Sequence, residues 1–241
     1  MPAKTIILAA GLAVGLLSAT FGDARAASVA VTIDAGGKPL AAAVVALESS
    51  DGRVIPPRAG ARLVGVMDQR NKQFVPHVLA VEVGTEVSFP NSDNIRHDVY
   101  SFSPAKTFEL PLYAGTPAKP VLFDKPGVVV LGCNVHDWML AFIDVVPTPY
   151  FAQTDMAGKV VVANVPAGKY KLTIWAPRLG GPNHTLSAPV TLTADSRIER
   201  HFSVALTAPP PHVHRRPDDQ LPPAVKRLQQ KFHRFSQEPP P

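Results

Sequence analysis

The chain has 241 residues, with 24 Lys and Arg against 19 Asp and Glu for a formal charge of +5, and it holds a single Cys. One cysteine excludes an internal disulfide framework, and the length suffices for two separate cores. The basic excess sits at the C-terminal end, where Arg215, Arg216, Lys226, Arg227, Lys231 and Arg234 face Asp218, Asp219 and Glu238, so it gives no support to a folded nucleic-acid-binding domain.

Residues 1–26 read as an export signal. Lys4 supplies the positive start, Ile6 to Leu17 the apolar stretch, and Ala24-Arg25-Ala26 a small-x-small cleavage site. The apolar stretch is short for a bilayer, and Gly22-Asp-Ala-Arg follows it without a stop-transfer pattern. No other run approaches spanning length, so the mature product is expected to be exported into an oxidising compartment, soluble and without a transmembrane segment. In that oxidising compartment a lone Cys133 is a free thiol, an intermolecular bridge, or a residue committed to chemistry or to a metal.

From Ser28 to Arg58, Val29-Ala-Val-Thr-Ile33 and Ala42-Ala-Val-Val-Ala-Leu47 flank a Gly36-Gly37 turn. The alternation predicts a β-hairpin or a pair of sandwich strands. Such a unit cannot bury its own face and needs partners elsewhere in the chain.

Residues 62–147 contain the chemistry. Val128-Val-Val-Leu-Gly-Cys133 reads as a strand, and His136 and Met139 follow Cys133 at steps of three on a tight loop. Upstream, Phe89-Pro-Asn-Ser-Asp-Asn-Ile-Arg-His-Asp-Val-Tyr100 places His97 at the start of another β-rich run. Two imidazoles, a thiolate and a thioether match a trigonal His₂Cys copper site with a weak axial Met. Three other readings use the same residues: a structural buried cysteine, a Cys133-His136 nucleophile pair, and a zinc site. The pair leaves Met139 and His97 without a role, and zinc favours four firm ligands over a thioether.

Cys133-x-x-His136-x-x-Met139, preceded by Gly84-Thr-Glu-Val-Ser-Phe-Pro-Asn-Ser-Asp and His97, resembles the cupredoxins, closest in loop length to the amicyanin type. Phe102-Ser-Pro-Ala-Lys-Thr-Phe and Cys-Asn-Val-His-Asp-Trp-Met are also similar to the cupredoxin-like proteins labelled methylamine utilisation proteins. The resemblance implies a Greek-key β-sandwich binding one copper ion in a type 1 (blue) site, with His97, Cys133 and His136 in plane and Met139 axial. It departs from the family at Asp98, where Asn is usual and ties the two ligand loops together, and in lacking a proline between Cys133 and His136, which leaves the loop to be stiffened by packing from Trp138.

Beyond the copper motifs, Thr154 to Val162, Asn164 to Trp175, Pro189 to Leu192 and Arg200 to Leu206 read as short strands bounded by turns. Asp34-x-x-Gly-x-Pro-Leu-x-x-Ala-x-Val, together with Asp155-x-x-Gly and Val165-Pro-x-Gly-x-Tyr170, is similar to the carboxypeptidase-regulatory or transthyretin-like sandwich. The two halves of that pattern lie on either side of the copper motifs. The expected layout is therefore nested: a discontinuous sandwich at 28–58 and 148–206, a cupredoxin-like unit at 62–147, and prolines at Pro56-Pro57 and Pro147-Thr-Pro149 marking the junctions. A tandem layout, with the hairpin supplying the first strands of the copper unit, is the rival. Residues 207–241 are Pro-rich and basic, an extended disordered tail with a short amphipathic segment at 224–235.

The fold class expected is all-β, a cupredoxin-like sandwich plus a smaller immunoglobulin- or transthyretin-like one. The function expected is that of a monomeric periplasmic carrier of single electrons. Its partners would be a dehydrogenase or a cytochrome docking transiently near His136, with no nucleic acid. Copper storage, sensing or delivery by the same ligands is the alternative, to which His212 and His214 would be suited. An enzyme is not expected: there is no nucleophile elbow, phosphate-cradling loop or paired carboxylates. His77, following Val75-Pro76 beside a strand, reads as a surface or packing residue, and His184 and His201 sit in the second sandwich with no ligand-like neighbours.

Overall fold

A computed structural model of the protein describes residues 26–53, 55, 63–117 and 119–208. Residues 1–25 of the export signal, the Pro56-Pro57 junction, and the tail from Pro209 with His212, His214 and the 224–235 segment lie outside the described residues. Among the described residues the chain is all-β, with one short 3₁₀ turn at Pro182–His184 and no α-helix. No helix among them is long and apolar enough to cross a membrane.

The strict alternation of Ala27–Ala35 buries Ala27, Val29, Val31 and Ile33 and turns Ser28, Ala30 and Thr32 outward. This strand pairs antiparallel with Lys159–Val165 and parallel with Arg197–Val204. The Gly36-Gly37 turn carries it only into the two-residue strand Lys38–Pro39. Val44–Ser49 leaves for a second sheet, where it lies between Phe151–Gln153 and Gly168–Trp175, with Thr185–Leu192 at the edge. Residues 27–49 thus find every ladder partner beyond them among 151–204, and the two sheets close over Val29, Val31, Leu47, Tyr170, Leu172 and Ile174. The Asp155-x-x-Gly158 turn has a plain cause. The Asp155 carboxylate accepts from the N–H groups of Ala157 and Lys159, both at 2.9 Å. Gly158 sits at φ +70°, where a Cβ would run into the carbonyl of Ile33.

Residues 64–146 pair among themselves. A five-stranded sheet runs in the order Lys106–Tyr113, His97–Ser103, Gly127–Gly132, Leu140–Val146, Val78–Glu82, the last pair parallel. A three-stranded sheet of Val121–Phe123, Thr85–Ser88 and Val64–Val66 lies across the core from it. Val87, Phe89, Val99, Phe123, Val129, Leu131 and Ile143 fill the space between them. A small hairpin, Asp68–Arg70 with Gln73–Val75, stands beside this sandwich.

The two sandwiches share a third apolar cluster of Val44, Ala46 and Trp175 from one and Val78 and Val146 from the other. Phe142 meets Trp175 with ring centroids 5.7 Å apart. The strand Val44–Ser49 is apolar on both faces because one face lines its own core and the other this contact. The Gln153 side chain acts here as a stand-in peptide group. It donates to the Val78 carbonyl at 3.2 Å and accepts from the Ala80 N–H at 3.3 Å, satisfying the open edge of the five-stranded sheet. Asp144, on the same outward face of Leu140–Val146, is buried at the contact. Burial, and after it the charge of Glu48, pushes its carboxyl up to about 6.

Candidate metal centre

His97 opens the strand His97–Ser103, and Cys133 follows directly on Gly127–Gly132, its neighbour in the sheet. The loop before His97 is pinned by Asn91, whose amide donates to the carbonyls of Ile95 and Tyr113, both at 2.9 Å. The loop after Cys133 turns back through a Met139 N–H to His136 carbonyl bond of 2.9 Å. Two strand ends and two tied loops therefore fix the four side chains that the sequence singles out.

One nitrogen of His97, the Cys133 sulfur and one nitrogen of His136 all lie within 4.8 Å of one another. His97 Nδ1 is 4.0 Å from Cys133 Sγ, and the two imidazole rings are 4.8 Å apart. Donors at roughly 2.0–2.3 Å from a shared ion in a trigonal plane sit roughly 3.5–4 Å from each other. His97 is fully buried, Cys133 and Met139 nearly so, and His136 shows 8% of its surface. Met139 lies in the same core cluster as Cys133.

The donor chemistry fits a soft transition-metal ion. His136 Nδ1 is buried and has no hydrogen-bond partner, an arrangement that costs free energy unless something takes the lone pair. Burial, followed by the charges of His97 and Lys72, pushes the His136 imidazole down toward its neutral, ligating form. The Cys133 thiol moves the other way, raised by burial and then by Asp98. A metal binding here displaces that proton.

Asp98 does tie the two ligand loops together, but as a carboxylate. It accepts from the Cys133 thiol at 3.2 Å, from the Asn134 N–H at 2.9 Å and from the Asn134 side-chain amide at 2.6 Å. Trp138 is 60% exposed. It stands edge-on to His136 at 5.0 Å, and its indole N–H donates to the Lys72 carbonyl at 3.2 Å.

Three residues at the centre escape a reading of the sequence. Tyr100 lays its ring so close over Gly132 that a Cβ there would lie 2.6 Å from it, which explains a glycine immediately before Cys133. Gln69, fully buried, donates to the Tyr113 hydroxyl at 2.5 Å and leaves its side-chain amide oxygen without a partner. Asp93 binds His97 Nε2 at 2.8 Å; its i, i+4 spacing to His97 is the one sequence signal that could have pointed to it. The other described histidines make other bonds: His77 with the Leu140 carbonyl, His184 with the Leu179 carbonyl and His201 with Asp34.

No protein-family model matches the chain, and no curated protein matches it. Among solved structures it is similar to a copper-containing nitrite reductase from Thermus scotoductus at 24% identity and a TM-score of 0.33, over 47% of this chain and 28% of that one. A purple cupredoxin from Nitrosopumilus maritimus matches at 22% identity and a TM-score of 0.30, over 35% of this chain and 99% of its own. A reduced, Cu(I) mutant of amicyanin matches at 19% identity and a TM-score of 0.32, over 42% of this chain and 98% of its own.

Proposed function

We propose that this protein carries single electrons through one copper ion that His97, Cys133 and His136 would hold, with the Met139 thioether as a weaker fourth donor. The observation that carries the reading is the convergence of donor atoms from two imidazoles and one thiol within 4.8 Å, with His136 Nδ1 buried and without a hydrogen-bond partner. The buried thioether beside this set favours copper over zinc, which prefers four firm ligands. When bound, copper supplies a one-electron couple.

The chain's own residues do the rest. Ligands fixed on two strand ends of a packed core hold one arrangement through a change of oxidation state, so little rearrangement accompanies transfer. His136 is the ligand nearest solvent, and exposed Trp138 and Val135 flank it. A periplasmic dehydrogenase or cytochrome docking there would make a small, transient contact. On this reading the protein is a monomeric carrier and not an enzyme, since Met139, buried in the same cluster as Cys133, would take the coordination position that catalysis at copper would need open.

The test is optical and spin-resonance spectroscopy after adding Cu(II) to the purified protein. The expected result is an intense blue absorption, bleached by ascorbate and absent in Cys133→Ser. A colourless complex formed only with Cu(I) refutes the carrier and supports copper storage or delivery by the same residues.

A further inference from the structure

The centre has a feature that metal ligation alone does not require. Two residues in the left-handed region, Asn71 at φ 52° and Lys72 at φ 56°, make the turn of the hairpin Asp68–Arg70 and Gln73–Val75. A two-residue turn of this kind favours Asn-Gly, and a lysine in its second place is strained. Such a conformation persists only where the surroundings over-determine it.

Asp93 supplies that determination. One of its carboxylate oxygens accepts from the Asn71 N–H at 2.6 Å, and the other from the Lys72 N–H at 2.8 Å. The second oxygen also lies 2.8 Å from His97 Nε2. From the other side, the indole of Trp138 donates to the carbonyl of the same Lys72. One strained turn is therefore tied both to the loop that carries His97 and to the loop that carries His136.

We propose that Asp93 is the positioning residue of the centre. Its carboxylate keeps the His97 proton on Nε2, which leaves the Nδ1 lone pair facing Cys133, and through the 71–72 turn it clamps the two ligand loops against one hairpin. A carboxylate acceptor on the far nitrogen fixes both the tautomer and the orientation of a ligating imidazole and strengthens it as a donor. The proposal rests on the metal-site reading for its purpose, but the tautomer and the clamp belong to the protein before any metal binds.

The experiment uses metal-free, full-length protein with ¹⁵N-labelled histidine. In the unaltered chain, two-bond ¹⁵N–¹H spectra should show His97 wholly as the Nε2–H tautomer. In Asp93→Ala the ring should shift to a mixture of tautomers, and amide exchange at Asn71 and Lys72 should accelerate together by tenfold or more. Asp93→Asn keeps the shape but only one acceptor oxygen, so it should lose either the Asn71 bond or the Lys72 and His97 bonds together. Should Asp93→Ala fold poorly, Asp93→Ala combined with Lys72→Gly removes the left-handed strain and allows the same two readings. After copper loading, Asp93→Asn should raise the reduction potential, since the imidazole becomes a weaker donor. Unchanged His97 tautomer and unchanged exchange at 71 and 72 in the Asp93→Ala background overturn the proposal, whether or not the protein binds copper. A protein that shows the clamp but takes up no copper overturns the electron-carrier reading instead.

Discussion

Replacing Asp144 by Asn should make the protein more stable at neutral pH and remove part of its pH dependence. Asp144 is buried where the two sandwiches meet, and burial together with Glu48 raises its carboxyl from 3.8 to about 6. A carboxyl raised on folding binds more protons in the folded state than in the unfolded state between those values. Its contribution is complete below about pH 3.8 and is lost as the pH rises through about 6. About two pKa units correspond to about 3 kcal/mol. Urea unfolding of the two proteins at pH 4 and pH 7.5 measures the difference directly. Several carboxylates, including Asp34, Asp68 and Asp124, are lowered on folding and act with the opposite sign. The informative quantity is therefore the gap between variant and parent, which removes their share. That gap should widen in favour of Asp144→Asn by about 2–3 kcal/mol between the two pH values. A constant gap would show that Asp144 ionises in the folded protein as it does in the unfolded chain, and the reasoning from burial would fail.

Three further outcomes are expected. In metal-free protein, Asp98→Asn should lower the pH at which Cys133 reacts with a thiol reagent, because burial and the Asp98 carboxylate together hold the thiol protonated; a rate profile that does not move toward lower pH counts against the hydrogen bond. Gly132→Ala should cost about 1–3 kcal/mol in denaturant stability, since the new methyl meets the Tyr100 ring at 2.6 Å, and Gly132→Ala with Tyr100→Ala should recover part of it. Trp175→Ala should cost about 3–5 kcal/mol and should split a single unfolding transition into two, because Trp175 fills the contact between the sandwiches; one sharp transition in the variant would show that this contact does not couple them.

Alternation in Ala27–Ala35 and the steps of three after Cys133 are legible in the sequence because each follows one local rule. Pairing is not local: no alternation or spacing within 27–49 places its partners at 151–204, and only the resemblance of Asp34-x-x-Gly and Asp155-x-x-Gly to one sandwich pattern joins the two stretches. Val44-Val-Ala-Leu47 does carry a readable mark. Four consecutive apolar residues in a short strand mean that both faces are covered, yet the sequence cannot say by what. The hairpin at 68–75 is hidden for a different reason. Asp68-Gln-Arg-Asn-Lys-Gln shows neither alternation nor an Asn-Gly turn, and its left-handed lysine is held by Asp93, some twenty residues away. Asp98 shows the limit of reading by analogy. A departure from the usual asparagine suggests a lost link between the ligand loops, whereas the carboxylate makes that link and places negative charge beside the sulfur.

The pairing of Ala27–Ala35 with Arg197–Val204 also bears on how the polypeptide is made. As the chain emerges, the opening strand must wait for its first long ladder partner, Lys159–Val165, while more than a hundred and twenty residues follow it, and longer still for Arg197–Val204, whereas the segment in between closes on short-range ladders of its own. Closing the larger loop is the slow, entropically costly event. The central sandwich should therefore be the first part to acquire structure, with the chain ends meeting around it afterwards, and truncation before residue 197 should leave it folded while the first strand keeps its Lys159–Val165 ladder and exposes its other edge to aggregation.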